Sequence, residues 1–235
     1  MSELVTYEKT GGVARITFDD GKANAMSIPM LEALHAAFDR AQADKAVVVL
    51  TGRDGIFSAG FDLKVFTQGV PERVHQMLSL GAELSLRILT FPTPVISVCT
   101  GHAYPAGTFL MMASDVRIGA DGPFRIGLNE VVIGLTLPKF AVEVARQRLL
   151  PAYFNRLLVT GEMIAPREAV TAGFLDQVVE VGALRSTADA IAQALTKIDH
   201  SAHAATKLRV RAPAARAIRA AIDEEITPPK PQNAD

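Results

Sequence analysis

Two short stretches have residue types and spacing suited to chemistry. Ala59-Gly60-Phe61 and Pro105-Ala106-Gly107 each follow an apolar, strand-like run, and each leads straight into a helical pattern. Helix starts leave backbone N–H groups without intrahelical partners, so two such turns can aim amides at one oxygen. Converging amides stabilise the charge that builds when a thioester becomes an enolate or a tetrahedral adduct. The same turns also serve any α/β protein as plain connections, and spacing alone leaves both readings open. Glu130 is the third candidate, with Val131, Val132 and Ile133 beside it. A carboxylate in an apolar setting has a raised pKa and can act as a base near neutrality. A loop glutamate in solvent, the common fate of the residue, does neither, and on these residues alone that is the preferred reading.

These groups need a scaffold. Residues 4–8 and 13–18 read as strands joined by Thr10-Gly11-Gly12, a hairpin turn. Ser27 reads as a helix N-cap with Pro29 in the first turn, and Leu31, Leu34, Phe38 and Ala41 follow at helical spacing up to Asp44-Lys45. Residues 47–51 form a buried strand, and 56–64 a short strand, a glycine-relieved turn and a helix start. The rhythm returns with a strand at 94–98, a small-residue loop at 101–107 and a helical run at 108–114. Short strands at 116–119 and 123–126, a loop at 127–138 and a helix to about residue 149 follow. The class is therefore α/β. From residue 182 the composition turns to alanine and basic residues, a helical segment that Pro213 breaks and that ends in disorder-prone Pro228-Pro229-Lys230-Pro231.

Composition removes other classes of function. The 235 residues carry 24 lysines and arginines against 25 aspartates and glutamates, so no global field draws the chain to nucleic acid or an anionic membrane. Cys99 is the single cysteine, which excludes a disulfide framework and a Cys-rich zinc site. Apolar runs fall far short of the roughly 18 residues of a membrane span, and the N-terminus lacks a signal pattern. A soluble, cytoplasmic protein is expected. Neither a Walker-type nor a G-x-G-x-x-G phosphate loop occurs.

The string Phe57-Ser58-Ala59-Gly60-Phe61-Asp62-Leu63-Lys64 resembles the F-x-A-G-x-D-L/I-K loop of the crotonase superfamily, the enoyl-CoA hydratase and isomerase family. Further features follow in the family's order. Pro92-Thr93-Pro94-Val95-Ile96 with Gly101-His102-Ala103 resembles its strand and G-x-A loop, and Asp115-Val116-Arg117-Ile118 its D-x-R-I. Gly127-Leu128-Asn129-Glu130 with Gly134 and Pro138 resembles its glutamate-bearing loop, and residues 165–179 its A-x-x-A-x-x-x-G-x-V-D-x-V-V ending. The resemblance implies a crotonase-like spiral of ββα units over residues 1–181 and a helical C-terminal segment over 182–235. It also implies acyl-CoA thioester substrates, no metal, no cofactor beyond the substrate's own coenzyme A, and a homotrimer or a dimer of trimers. Carried over by position, the oxyanion donors are the N–H groups of Phe61 and Ala106. Pro105 departs from the family's glycine run and stiffens that loop without removing the donor.

The family's hydratases use two glutamates. The first of those positions falls on Phe109, which can neither take nor give a proton, and the second on Glu130. One carboxylate still suffices to shuttle a proton between two carbons of an enolised thioester, as in the 3-enoyl to 2-enoyl isomerases. Lys139-Phe140 after Pro138 also resembles the isomerase branch. The expected activity is thus enoyl-CoA isomerisation. An enoyl-CoA hydratase with an atypical second acid and a non-catalytic acyl-CoA-binding protein are the alternatives.

Coenzyme A carries phosphates, so its site needs basic residues near small-residue backbone. Lys22 and Ala23, Ala59 and Gly60, and Lys64 fit that role, and Lys207 is the choice from the basic tail. Phe109, Leu135, the region 66–84 and Met111 or Met112 are expected to line the acyl pocket. Asp62 and Asp115 read as structural, His75 as a partly exposed helix residue, and Cys99 as core. His102 sits in the G-x-A loop, where substrate contact is possible. A hydrolase triad of Ser58 and His102 with an aspartate is disfavoured, because Ser58 lacks a G-x-S-x-G elbow.

Overall fold

A computed structural model describes residues 3–228. Strands β1 (Val5–Thr10) and β2 (Val13–Phe18) form the expected hairpin, antiparallel with Val5 opposite Phe18. Helix α1 (Ile28–Ala43) begins at Ser27, whose side chain accepts the Met30 N–H, with Pro29 in its first turn. From there the chain repeats one unit. In β3 (Val47–Thr51) and β4 (Gly55–Ser58), followed by the short α2 (Leu63–Thr67) and the long α3 (Pro71–Leu89), the first strand joins a large sheet and the second a small one. The pair β5 (Val95–Cys99) and β6 (Gly101–Ala103), followed by α4 (Pro105–Ala113), does the same. With β7 (Val116–Ala120) and β8 (Gln177–Val179), the large sheet runs β1-β2-β3-β5-β7-β8, parallel from β2 onward, and β4 pairs in parallel with β6. Because each repeat adds a strand beside its predecessor in both sheets, the β4–α2 and β6–α4 turns come to lie side by side.

Alternating side chains of the parallel strands are buried on both faces, which is why these strands read as continuous apolar runs. Val48 and Leu50 of β3 join a core with Phe38 of α1, Ile88 of α3 and Met111 of α4. Val47 and Val49 face the other way, where Ala188 and Ala192 of α8 (Leu184–Leu195) cover them. Helices α5 (Lys139–Arg146), α6 (Pro151–Thr160) and α7 (Pro166–Ala172) follow the loop that bears Glu130. The last helix, α9 (His200–Glu225), packs on α3 and α5.

Three expectations change. The stretch 101–107 is a strand and the first turn of a helix rather than a loop, since Pro105 opens α4 at a position where its missing N–H is harmless. Residues 123–126 form no strand; Ile126 alone bridges, to Ala103 and to Ile164. Pro213 does not break the C-terminal helix, which continues through it. Arg211, held by the carbonyls of Leu89 and Ala113, and Arg219, paired with Glu83 at 2.6 Å, pin α9 on both sides of the proline. The proline-rich end beyond Pro228 lies outside the described residues.

Candidate active site

The first turn is built around Asn24, fully buried and in the left-handed region at φ 56°. Its Nδ2 donates to the carbonyls of Phe18 (2.9 Å) and Phe57 (3.0 Å), and its own carbonyl accepts from Ser58 Oγ at 2.8 Å. Ser58 Oγ accepts the Gly60 N–H in turn, while the Ala59 N–H donates to the Ala23 carbonyl at 3.0 Å. Gly60, at φ +90°, makes the reversal that a side chain would strain. Met26 then bridges Phe61 in parallel: its N–H donates to the Gly60 carbonyl (2.8 Å) and its carbonyl accepts from Asp62. Those bonds use the peptides flanking Phe61 and leave the Phe61 N–H on the opposite side. Asp62 caps α2 by accepting the Lys64 N–H at 3.0 Å, the structural role expected of it.

The second turn locks onto the first. The Tyr104 N–H donates to the Ser58 carbonyl at 2.9 Å. A Cβ on Gly107 would stand 2.5 Å from Ser58 Cβ, so glycine there lets the first turn of α4 lie flush on the end of β4. A Cβ on Gly60 would lie 3.7 Å from the Ala106 nitrogen, which brings the two turns into contact. Among the described residues, no hydrogen bond takes up the N–H of Phe61 or of Ala106. Ala106 is the second residue of α4, where an orphan N–H is expected.

Glu130 opens a short 3₁₀ turn, Glu130–Ile133, that is tied to the second turn. The Gly127 N–H donates to the Ala103 carbonyl (3.2 Å), and Thr108 Oγ1 donates to the Gly127 carbonyl (3.3 Å). Only 7% of Glu130 is exposed, and its Oε2 has no hydrogen-bond partner. Burial pushes its carboxyl up to about 7, against a smaller opposing pull from its own backbone N–H. The carboxylate borders a cavity of about 330 Å³ whose other walls include Ala59, Gly60, Phe61, Phe66, Leu78, Tyr104, Pro105, Asn129, Leu135 and Thr136. Glu130 is the one carboxylate among the lining residues. A single base in an apolar chamber whose wall includes Phe61, with Ala106 one residue from the wall, can carry a proton at a carbon next to a carbonyl that such amides polarise.

The structure thus gathers Phe61, Glu130, Ala59, Gly60 and Leu135 around one cavity, whereas Ala106, next to Pro105 in the first turn of α4, is 3% exposed and is not itself in the lining. Phe109, expected to line the acyl pocket, is not in the lining: it is 1% exposed and packs against Phe61, with centroids 6.4 Å apart, and edge-on to Phe140. Lys22, Ala23 and Lys64 lie outside the lining, next to residues that form or anchor it. Arg53, which the sequence did not single out, donates to the Lys22 carbonyl at 2.6 Å and pairs with Asp19 at 3.6 Å. Lys207 has different surroundings from those expected. Its side chain is 3% exposed, and Nζ bonds Asp115 at 2.7 Å in a cluster with Arg211 that shares no residue with the cavity wall. His102 Nδ1 accepts the Arg125 N–H, and His75 borders a neighbouring cleft. Ser58 Oγ is engaged in the turn and is not presented as a nucleophile.

Asn24 and Tyr104 escaped the sequence reading. An asparagine after Asp20-Gly21 in a polar loop signals tolerance of positive φ, but its tie to Phe57 and Ser58 is tertiary. Among the described residues no group of His, Cys, Asp or Glu side chains is arranged to hold a metal ion, and no helix is long and apolar enough to cross a membrane.

The chain is similar to proteins of one known family. A family profile described as "Enoyl-CoA hydratase/isomerase" matches residues 8–228. Human enoyl-CoA delta isomerase 1, mitochondrial, is 30% identical over 220 residues, covering 92% of this chain and 73% of that one. A putative enoyl-CoA hydratase of Thermus thermophilus is 34% identical over 214 residues, covering 88% of this chain and 81% of that one. Among solved structures, an enoyl-CoA hydratase/isomerase family protein from Pseudomonas syringae has a TM-score of 0.92 at 44% identity, over 95% of this chain and 96% of that one.

Proposed function

Given that the chain belongs to the enoyl-CoA hydratase/isomerase family and is an enoyl-CoA-processing enzyme, we propose that it isomerises 3-enoyl-CoA to 2-enoyl-CoA with Glu130 as its one base. The observation that carries this reading is the single carboxylate in the cavity wall, raised to about 7 by burial. The Glu130 carboxylate takes a proton from C2 of the thioester. The C–H pair forms a C1=C2 bond and the carbonyl pair moves to oxygen, where the N–H groups of Phe61 and Ala106 receive the charge. On collapse the carbonyl re-forms, the C1=C2 pair becomes C2=C3, and the former C3=C4 pair takes the proton back from Glu130 at C4. No atom is gained or lost. Lys22, Arg53 and Lys64, near Ala23 and Ala59, are the cations for the coenzyme A phosphates.

Incubation with a 3-enoyl-CoA, followed by product mass and double-bond position, tests the proposal. Unchanged mass with the bond at the 2-position supports it, and Glu130→Gln is expected to abolish turnover while acyl-CoA binding persists. Full activity in that variant refutes the assignment. Hydration is the second reading, favoured by Tyr104, a phenol in the same wall. It predicts oxygen from labelled water in a product hydroxyl. Binding with no product from any enoyl-CoA points instead to a non-catalytic acyl-CoA carrier.

A further inference from the structure

Gly81 lies buried in the middle of α3, where glycine is disfavoured relative to alanine, and its φ is not in the left-handed region. The backbone conformation therefore does not call for glycine. A close approach does: a Cβ on Gly81 would stand 2.6 Å from both Cε1 and Cζ of the Phe61 ring. The ring of the residue that carries one proposed oxyanion donor thus rests directly on helix backbone. The seat is well braced, since Ser85 Oγ, one turn along, donates to the Gly81 carbonyl at 2.8 Å. Phe109 also packs against the ring, with 6.4 Å between centroids, and is itself held edge-on by Phe140 at 5.4 Å.

We infer that Gly81 is a positioning residue: by lacking a side chain it lets the Phe61 ring seat against α3 and so fixes the aim of the Phe61 N–H. This rests on the oxyanion role proposed above. A side chain at 81 would displace a ring that also packs against Phe109, and Phe61 is part of the cavity wall. Moving that ring reshapes the wall beside the proposed donor. Misplacement by about 1 Å in such a constellation costs on the order of 10²-fold in rate.

The test compares Gly81→Ala, Phe61→Leu and the double variant, which keeps the residue 61 N–H but shortens the ring that would clash. Each is measured for kcat and KM on a 3-enoyl-CoA and for the thioester carbonyl stretch of a bound acyl-CoA. In G81A the helix preference of alanine offsets only part of the cost of the clash, and kcat is expected to fall roughly 10- to 100-fold. Its bound carbonyl stretch should return toward that of free thioester, and the double variant should recover both. Should G81A fail to fold, a folded and active double variant assigns the conflict to the same pair. Wild-type kcat and stretch in G81A, or a loss that F61L does not rescue, overturns the inference. Wild type with neither turnover nor a shifted stretch instead overturns the oxyanion reading itself, and this inference with it.

Discussion

The Ser58 hydroxyl donates to the Asn24 carbonyl at 2.8 Å and accepts the Gly60 N–H at 3.1 Å, so one buried side chain joins the loop before α1 to the turn that carries Phe61. Ser58→Ala removes that link and leaves the buried Gly60 N–H without its acceptor. The expected cost is about 1–3 kcal/mol in stability. Turnover should drop about 10-fold or more, with KM changed less, because the turn's aim matters most where charge develops. Denaturant unfolding and steady-state kinetics check both numbers, and equal losses in kcat and 1/KM would contradict the positioning role.

Lys207 and Asp115 make a second buried link, from α9 to the start of β7. Asp115 Oδ2 accepts the Val95 N–H and Lys207 Nζ, and Oδ1 faces Arg211 at 3.0 Å. Asp115→Ala strands two cations in the interior and is expected to cost about 3–5 kcal/mol. Lys207→Met should cost less, since Arg211 and the Val95 N–H still serve the carboxylate. Acyl-CoA affinity in K207M should match wild type, as calorimetric titration would show. A loss of affinity would return Lys207 to the coenzyme A site.

How far the sequence reveals such links depends on how local they are. Ser27 as a cap, the buried strand Val47–Thr51 and the hairpin follow from neighbouring residues, and all appear as read. The motif around Phe61 and the loop of Glu130 are also contiguous, so both could be put forward for one cavity. Lys207 could not be placed, because nothing in an alanine-rich basic tail announces a carboxylate 92 residues earlier. Asn24, Tyr104 and Gly81 matter through the chain segments they touch, which no spacing encodes. Pro213 misled for the same reason: propensity disfavours helix there, and contacts made elsewhere on α9 outweigh it.

Phe109 tests whether hydration could be restored by a second carboxylate. The side chain is sealed between the rings of Phe61 and Phe140 and has no share in the cavity wall. In Phe109→Glu a carboxyl replaces aromatic packing without a partner, and it stays protonated rather than meeting substrate. The variant is expected to lose several kcal/mol of stability, of the order seen when a buried phenylalanine is truncated, about 3–5 kcal/mol. No product one water heavier should form from a 2-enoyl-CoA. Appearance of that product by mass spectrometry would mean that residue 109 reaches the acyl chain after all.

Glu130 couples activity to stability through one ionisation. Burial raises its carboxyl from 4.5 to about 7, so the folded protein holds the proton more tightly than the unfolded chain does. Between those values the unfolded chain sheds its proton while the fold keeps it, and stability must fall as pH rises through the window, levelling above about 7. The total is on the order of 3 kcal/mol, at about 1.4 kcal/mol per pKa unit. Glu130→Gln has no such proton, so its stability relative to wild type should grow from pH 4.5 to 7 and then stay constant. Catalysis runs the other way, because a base works only after losing its proton. Wild-type kcat/KM should therefore climb through about pH 7, over the range in which stability declines. Paired pH series of unfolding free energy and of kcat/KM decide the matter. A kcat/KM that stays flat from pH 5 to 8 while E130Q shows no stability gain would mean that the carboxyl is not the buried, catalytic group described.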